Sequence, residues 1–293
     1  MKTTENPKQE VLIVGAGPVG LALALVLKAN DIPIRIIDKR ATWSGASKAL
    51  SVTSRTLELL SLIGVSEEMV ATGITSDFIY FFNYKGKKIS EINFKDLHSP
   101  YPFMLQLPQN KTIEILTNAL KRQGVTVERP YELEEIYKKD TGYSCVLKDT
   151  INDTQTVIDA NYVIGCDGAK SRVRTVMGQN FSGGQSKDAF IMADVRLSNH
   201  SFDNNRYMYY LKRRSSLYIM PLDAEHYRVI STTNLSPSQI TDDDVLEALQ
   251  DAFKQIGMSA VTISHPIWVS TFNPKQYIVD QYQLGRVFNK SAL

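Results

Sequence analysis

Near the N-terminus, apolar and polar positions fall into a strand–helix–strand pattern. Val11–Val14 is a short continuous apolar run, read as a strand buried on both faces, and Pro18–Asn30 (PVGLALALVLKAN) suits a helix buried on most sides. Ile34–Ile37 is a second apolar strand, ending at Asp38. Two strands joined through a helix make a βαβ unit and predict a parallel sheet. A Ser/Ala-rich loop, Thr42–Ala49, leads to a helix near Thr53–Ile63, where Leu57, Leu60 and Ile63 recur at helical spacing and Gly64 marks the end. Asp77–Tyr84 and Lys88–Phe94 are predicted strands about the turn Lys85-Gly86. Lys111–Arg122 is an amphipathic helix with Ile113, Leu116 and Leu120 on one face, closed by Gly124.

From Glu132 to Ile158, three short strands punctuated by Lys139–Gly142 and Asp149–Asp153 predict a β-meander. Tyr162–Gly165 returns as a buried strand of its own, and Ser171–Met177 starts a helix. After Gly183-Gly184 the chain turns strand-rich, with runs at Ala189–Leu197, Arg206–Leu211, Leu217–Met220 and His226–Thr232. One helix interrupts them, Thr241–Ile256, with Thr241 at its N-cap and Asp242–Asp244 in its first turn; Val261–Ser270 is β-rich again. The fold class this predicts is α/β, a Rossmann-like domain with a β-meander followed by a β-sheet domain, with a boundary near residue 180.

Composition narrows the function classes. Hydrophobic residues make up 43% and charged residues 22% of 293, which excludes wholesale disorder. A formal net charge of +2 argues against a polyanion-binding surface, so nucleic acid is not an expected partner. Two cysteines, Cys145 and Cys166, are too few for a disulfide framework, and His98, His200, His226 and His265 lie too far apart for a metal site. Val11–Leu27 consists of apolar residues, Gly and Pro. Glycines interrupt it and it falls short of the ~20 residues of a membrane span, so no transmembrane segment and a cytoplasmic location are expected.

The chemistry concentrates at Gly15-Ala16-Gly17-Pro18-Val19-Gly20, a GxGxxG directly after an apolar strand and opening a helix. The first Gly permits a tight turn, the second lets a pyrophosphate approach the backbone, and the third lets helix and strand pack closely. Free N–H groups at the helix start face the phosphate charge. Asp38 ends the next strand, where a carboxylate can accept from ribose hydroxyls. An acid there favours FAD or NAD over NADP, and the turn alone does not choose between the first two.

The sequence as a whole resembles the flavin-dependent aromatic hydroxylases of the para-hydroxybenzoate hydroxylase type. The stretch VLIVGAGPVGLALALVLKANDIPIRIIDKR looks like their start. Ser47-Lys48-Ala49 with Ser54–Leu60 resembles the following loop and helix, where the family usually has Arg at the place of Lys48. Leu107-Pro108-Gln109 resembles the segment whose Gln contacts the flavin nucleotide. Gly165-Cys166-Asp167-Gly168-Ala169-Lys170-Ser171-Arg172-Val173-Arg174 looks like the family's DG motif, and Pro221-Leu222 with Tyr227–Ile230 its substrate-domain sheet. The resemblance implies a Rossmann-like (GR2-type) FAD-binding domain over residues 1–180, with substrate-domain insertions near 75–105. A substrate-binding β-sheet domain over 181–275 and a returning FAD-domain strand over 276–293 follow.

The cofactor-binding residues it implies are Gly15, Ala16, Gly17, Pro18, Gly20, Asp38, Lys39, Arg40, Lys48, Gln109, Asp167 and Gly168. The cofactors are FAD, with NADPH or NADH as reductant, and the partners are a small aromatic substrate and O2. No catalytic nucleophile is expected, because the cofactor carries the difficult chemistry. Several of these residues have plainer readings. Gln109 could cap the following helix, Lys48 could be a solvated lysine, and Asp167 could hold the turn before Ser171. Cys166 reads as a packed small hydrophobe, Lys212-Arg213-Arg214 as a hairpin tip rather than an NADPH clamp, and Tyr207 and Tyr209 as either pocket lining or sheet packing.

After Gln283–Phe288 the family continues into a Gly-Asp motif, whereas this sequence reads Asn289–Leu293. The expectation from that departure is weak flavin binding and impaired hydroxylase activity. Two further alternatives are a non-catalytic remnant of the fold and an NAD-dependent dehydrogenase.

Overall fold

The chain crosses between two units four times. Met1–Gly45, Gln109–Gly184 and Gln276–Leu293 form the first unit, and Ala46–Pro108 with Gln185–Lys275 the second. The computed structural model describes residues 9–42, 49–186, 188–203, 205–212, 215–234 and 240–289. Lys48 of the expected site, and Arg213 and Arg214 of the expected hairpin tip, lie outside these residues. The segment that leaves the first unit early is 46–108, wider than the 75–105 expected from the sequence.

In chain order, the first segment holds β1 (Gln9–Val14), α1 (Pro18–Ala29) and β2 (Ile34–Ile37). The second holds β3 (Ser51–Val52), α2 (Ser54–Ser61), α3 (Ser66–Thr72), β4 (Ile74–Ser76), β5 (Phe78–Asn83), β6 (Lys88–Asn93) and β7 (Met104–Gln106). Then come α4 (Gln109–Arg122), β8 (Tyr131–Lys138), β9 (Tyr143–Asp149), β10 (Gln155–Gly165), α5 (Arg172–Val176) and β11 (Phe181–Gln185). The fourth segment holds β12 (Ala189–Ser198), β13 (Tyr207–Lys212), β14 (Ser215–Pro221), β15 (His226–Thr233), α6 (Asp242–Gln255) and β16 (Thr262–Phe272). Finally come β17 (Lys275–Val279), β18 (Gln283–Leu284) and β19 (Val287–Asn289). Helix α3 and strands β3, β4 and β7 had no signal in the sequence, because two- or three-residue strands and a two-turn helix are too short to show a period.

The first unit is built on a sheet ordered β18-β19-β10-β1-β2, with β8 and β9 attached through β10. β1 pairs in parallel with both β2 and β10, as the strand–helix–strand pattern requires. β1 is buried on both faces: Leu12 and Val14 join a core with Ile37, Leu133, Leu147, Val163 and Val173, and Ile13 is fully buried as well. Helix α1 buries Gly20, Leu21, Ala24 and Leu25 and packs against α4.

The meander and the returning strand are one element, which corrects the sequence expectation of two. β10 runs unbroken through Asp159-Ala160-Asn161, pairing antiparallel with β9 over Gln155–Ala160 and parallel with β1 over Ala160–Gly165. Asp159 and Asn161 look like turn residues, but no Gly or Pro accompanies them. Their side chains lie on the more exposed face of the strand while Ile158 and Ala160 alternate into the core.

The second unit is built on a sheet ordered β16-β12-β15-β14-β13-β5-β6, beside a small sheet β3-β7-β4. One face is apolar and covered by α6: Ile191, Ala193, Val195, Leu217, Ile219, Tyr227 and Val229 pack with Val245, Leu249 and Phe253. Helix α6 starts in a capping box, in which Thr241 Oγ1 accepts from Asp244 N–H and the Asp244 carboxylate accepts from Thr241 N–H. The strand period places alternate residues, Asp194, Arg228, Tyr207 and Tyr209 among them, on the opposite face. No helix among the described residues is long and apolar enough to cross a membrane.

Candidate functional site

The glycine-rich turn is fixed by backbone contact. Gly15 has φ of +103°, and a Cβ there would meet the Cys166 carbonyl oxygen at 2.5 Å; a Cβ on Gly20 would overlap the Gly15 carbonyl oxygen. By contrast, a Cβ on Gly17 meets nothing within 4 Å. Two glycines of the motif therefore serve close packing, and the third faces open space at the start of α1. Gly17 is the N-cap of that helix, Pro18 is its first residue, and no side chain caps it.

This open corner borders a cleft of about 540 Å³ within the first unit. Of the residues expected at a cofactor site, nine line it: Gly15, Gly17, Pro18, Asp38, Lys39, Arg40, Gln109, Asp167 and Gly168. Ala16 and Gly20 are behind the lining, buried in the turn. The sequence reading missed Val19, Tyr131, Glu132, Leu133, Lys170 and Arg172, which also line the cleft. Tyr131–Leu133 belong to β8, which joins the sheet only through its pairing with β9 and so carries no local sign of facing the cleft. Lys170 and Arg172 stood in the DG stretch, but nothing marked them as facing a cavity. Cys166 is half-buried and lines the cleft rather than filling the core.

Asp38 lines the cleft and is also held by protein donors. It is 4% exposed, and Oδ2 accepts from Ala16 N–H (2.9 Å) and Arg40 Nη2 (3.1 Å). Oδ1 accepts from Arg40 N–H (2.9 Å) and Arg40 Nε (3.1 Å), with Arg129 Nη1 at 3.3 Å. A carboxylate has about four lone-pair positions, and protein donors already occupy them. Burial alone would raise the Asp38 pKa. The Arg40 side-chain bond, the N–H groups of Arg40 and Ala16, and the Arg40 charge outweigh it, and the carboxyl titrates below its ordinary value. Asp38 thus ties the glycine turn to Arg40, and Arg129, unforeseen in the sequence, braces both by donating to the Arg40 carbonyl (3.0 Å).

Asp167 does two things. Its Oδ2 accepts from the N–H of Arg172 (2.7 Å) and of Val173 (3.3 Å), holding the start of α5, where Ser171 is the N-cap. Its Oδ1 is buried with no hydrogen-bond partner, and the residue lines the cleft. Arg172 sends Nε (2.9 Å) and Nη2 (2.7 Å) to the Glu134 carbonyl, pinning α5 to the meander. Lys39 pairs with Glu132 at 3.0 Å.

The features fit a nucleotide cofactor with hydroxyl-bearing chains. An uncapped helix start with an open glycine suits phosphate, and a buried unpaired carboxylate oxygen suits a hydroxyl donor.

Comparison with known proteins decides which dinucleotide. Residues 8–289 match a family described as FAD binding domain. The chain belongs to that family. FAD is therefore the member's cofactor, and the NAD-dehydrogenase alternative falls away. At 28% identity over 282 residues, 95% of the chain is similar to half (50%) of a 6-methylpretetramide 4-monooxygenase from Streptomyces rimosus. Pentachlorophenol 4-monooxygenase from Sphingobium chlorophenolicum is 26% identical over 281 residues, 95% of the chain and 52% of that protein. The chain thus spans about half the length of the curated relatives it matches. In fold it is similar to p-nitrophenol 4-monooxygenase from Pseudomonas putida DLL-E4, at a TM-score of 0.83 and 20% identity, over 96% of this chain and 72% of that one.

Within the second unit, the sheet face away from α6 is aromatic. Tyr209 meets Tyr218, Phe81 and Tyr207 edge-on at centroid distances of 4.7, 5.5 and 6.2 Å. Tyr207 is 1% exposed, and its hydroxyl is 2.7 Å from Ser51 Oγ. Burial pushes the Tyr209 phenol up to about 12 and raises that of Tyr207 further, so both are neutral hydrogen-bonding groups at neutral pH. On the same face, Trp268, Asp194, Arg228 and Met220 stand side by side on four successive strands. Arg228, 1% exposed, holds Asp194 in a two-pronged pair (2.7 and 2.8 Å) beside the Trp268 ring.

Proposed function

We propose that this chain is the FAD-binding part of an NAD(P)H-dependent monooxygenase that hydroxylates an aromatic ring. The observation that carries the reading is the open Gly17 corner, bordered by the unpartnered Asp167 Oδ1, in a member of the FAD binding domain family. In this reading Gly17 and the start of α1 take the pyrophosphate, and Asp167 Oδ1 accepts from a hydroxyl of the cofactor. Lys39, Arg40 and Lys170 offset phosphate charge, and Gln109 and Gly168 border the nucleotide. Asp38 acts by holding Arg40 and the turn. When bound, the flavin would supply the redox chemistry, a two-electron route from NADPH or NADH to O2, with one oxygen atom entering the ring and the other leaving as water. In the same reading the aromatic face of the second unit takes the substrate ring, with neutral tyrosine hydroxyls to orient it.

Titration with FAD, followed by quenching of flavin fluorescence, tests the cofactor assignment. Saturable binding, with pyridine nucleotide and O2 consumption accelerated by a phenol, is the expected result. Folded protein that leaves FAD fluorescence unchanged overturns it.

A further inference from the structure

Among the described residues of the second unit, Gln106 is the one whose side-chain amide is buried with no hydrogen-bond partner at either end. It is 1% exposed, in the last position of β7. Leaving a primary amide unpaired away from water is costly, and native proteins rarely tolerate it without a function. A leucine would fill this place at lower cost.

Its surroundings say what the amide faces. Strand alternation puts Gln106 on the side of Met104 and opposite Leu105, which packs close to Gly73. Met104 rests on the cluster of Leu50, Ile79, Tyr207 and Met220, which includes the aromatic face described above. Across the β3–β7 ladder the residue directly opposite Gln106 is Ser51, and directly opposite residues in an antiparallel pair share a face. Ser51 is the hydroxyl that bonds Tyr207, and it is exposed, so this corner is reached from outside. An acceptor and two donors on the buried Gln106 amide thus share a face of the small sheet with Ser51, whose hydroxyl bonds Tyr207 of the aromatic face.

We propose that Gln106 is a specificity-determining residue that reads a ring hydroxyl: its amide oxygen accepts from the O–H of a phenolic ligand entering beside Ser51. This deepens the monooxygenase reading and rests on it for the reaction, but not for the binding. A site that offers a buried polar group rejects a ligand that cannot pair with it, because the group is then left unpaired in the complex too.

Thermal melting of the full chain tests this, with 2-naphthol and 2-methoxynaphthalene as probes. The two share a ring system and differ in the O–H donor. Without ligand, Gln106→Leu should melt higher by about 2–6 °C, since it removes an unpaired polar group. In the unsubstituted protein 2-naphthol should bind at least about tenfold more tightly than its methyl ether, and in Gln106→Leu the two should bind alike. Gln106→Met, nearer in length, serves if the leucine variant does not fold.

A variant that melts lower shows that the amide is satisfied internally, and overturns the proposal. So does a variant that still prefers 2-naphthol, or an unsubstituted protein stabilised by neither probe. These readings need no flavin and no turnover. A chain that binds 2-naphthol through Gln106 but does not take up FAD would count against the monooxygenase reading alone.

Discussion

The glycine-bordered cleft of the first unit and the aromatic face of the second are built on opposite plans. The cleft is made chiefly of backbone: two glycines that cannot carry a Cβ, one that leaves a helix start open, and carboxylates that hold the turns in place. Its key residues come from short contiguous stretches, 15–20, 38–40 and 167–172. The aromatic face is made of side chains, one or two from each of several strands, brought abreast only by sheet register. A backbone site tolerates few changes of shape, since the chain has no alternative path through it. A side-chain site can be re-lined residue by residue while the sheet stands. Side chains on the aromatic face can therefore change without disturbing the backbone that shapes the cleft of the first unit.

The sharpest test of that contrast lies inside the glycine turn. Gly20→Ala should destabilise the protein by more than about 3 kcal/mol or prevent folding, because its Cβ would overlap the Gly15 carbonyl. Gly17→Ala should leave the urea midpoint almost unchanged and weaken FAD about tenfold or more. Equal loss of stability in the two variants would break the division between packing and binding glycines.

On the second unit, Arg228→Leu leaves the Asp194 carboxylate without its two-pronged partner and should cost about 3 kcal/mol in chemical denaturation. Removing both charges, in Arg228→Met with Asp194→Leu, should cost much less, since the pair's main role is mutual satisfaction. If the double variant is as unstable as the single, the pair shapes the sheet face in some other way than by charge.

A smaller effect, of about 1–2 kcal/mol, is expected for Asp38→Asn. Its carboxyl is held below the ordinary value in the folded chain, so its contribution is fully present above the unfolded pKa of about 3.9. That contribution is lost as pH falls through the lowered folded value. Asp38→Asn should therefore lower stability at neutral pH and flatten the decline below pH of about 4. An acid limb identical to that of the unsubstituted protein would show that Arg40 and the turn do not depend on the charge of Asp38.

What could be read from sequence tracks the same contrast. The βαβ start, the glycine turn, the amphipathic α4 and the capped α6 are local features, and their period and end signals sit within a dozen residues. Asp38 and Asp167 were visible as candidates, but not how each is used. Asp38 is satisfied by Arg40 and Ala16, and Arg129 arrives from a loop ninety-odd positions away, a partnership no spacing reveals. The unbroken β10 was misread as two strands because Asp159 and Asn161 carry the composition of a turn. Only pairing on both sides shows that their side chains point outward from a continuous strand.

By itself, then, the sequence determined that a dinucleotide turn exists and where it lies, because a glycine that must approach other backbone is a local steric requirement written into one hexapeptide. Tertiary structure alone decided which oxygens of Asp38 and Asp167 remain for a ligand, and that the Gln106 amide has no partner beside the aromatic face. Hydrogen-bond satisfaction is a property of neighbours in space, and in this chain those neighbours are supplied by sheet register across segments far apart in sequence.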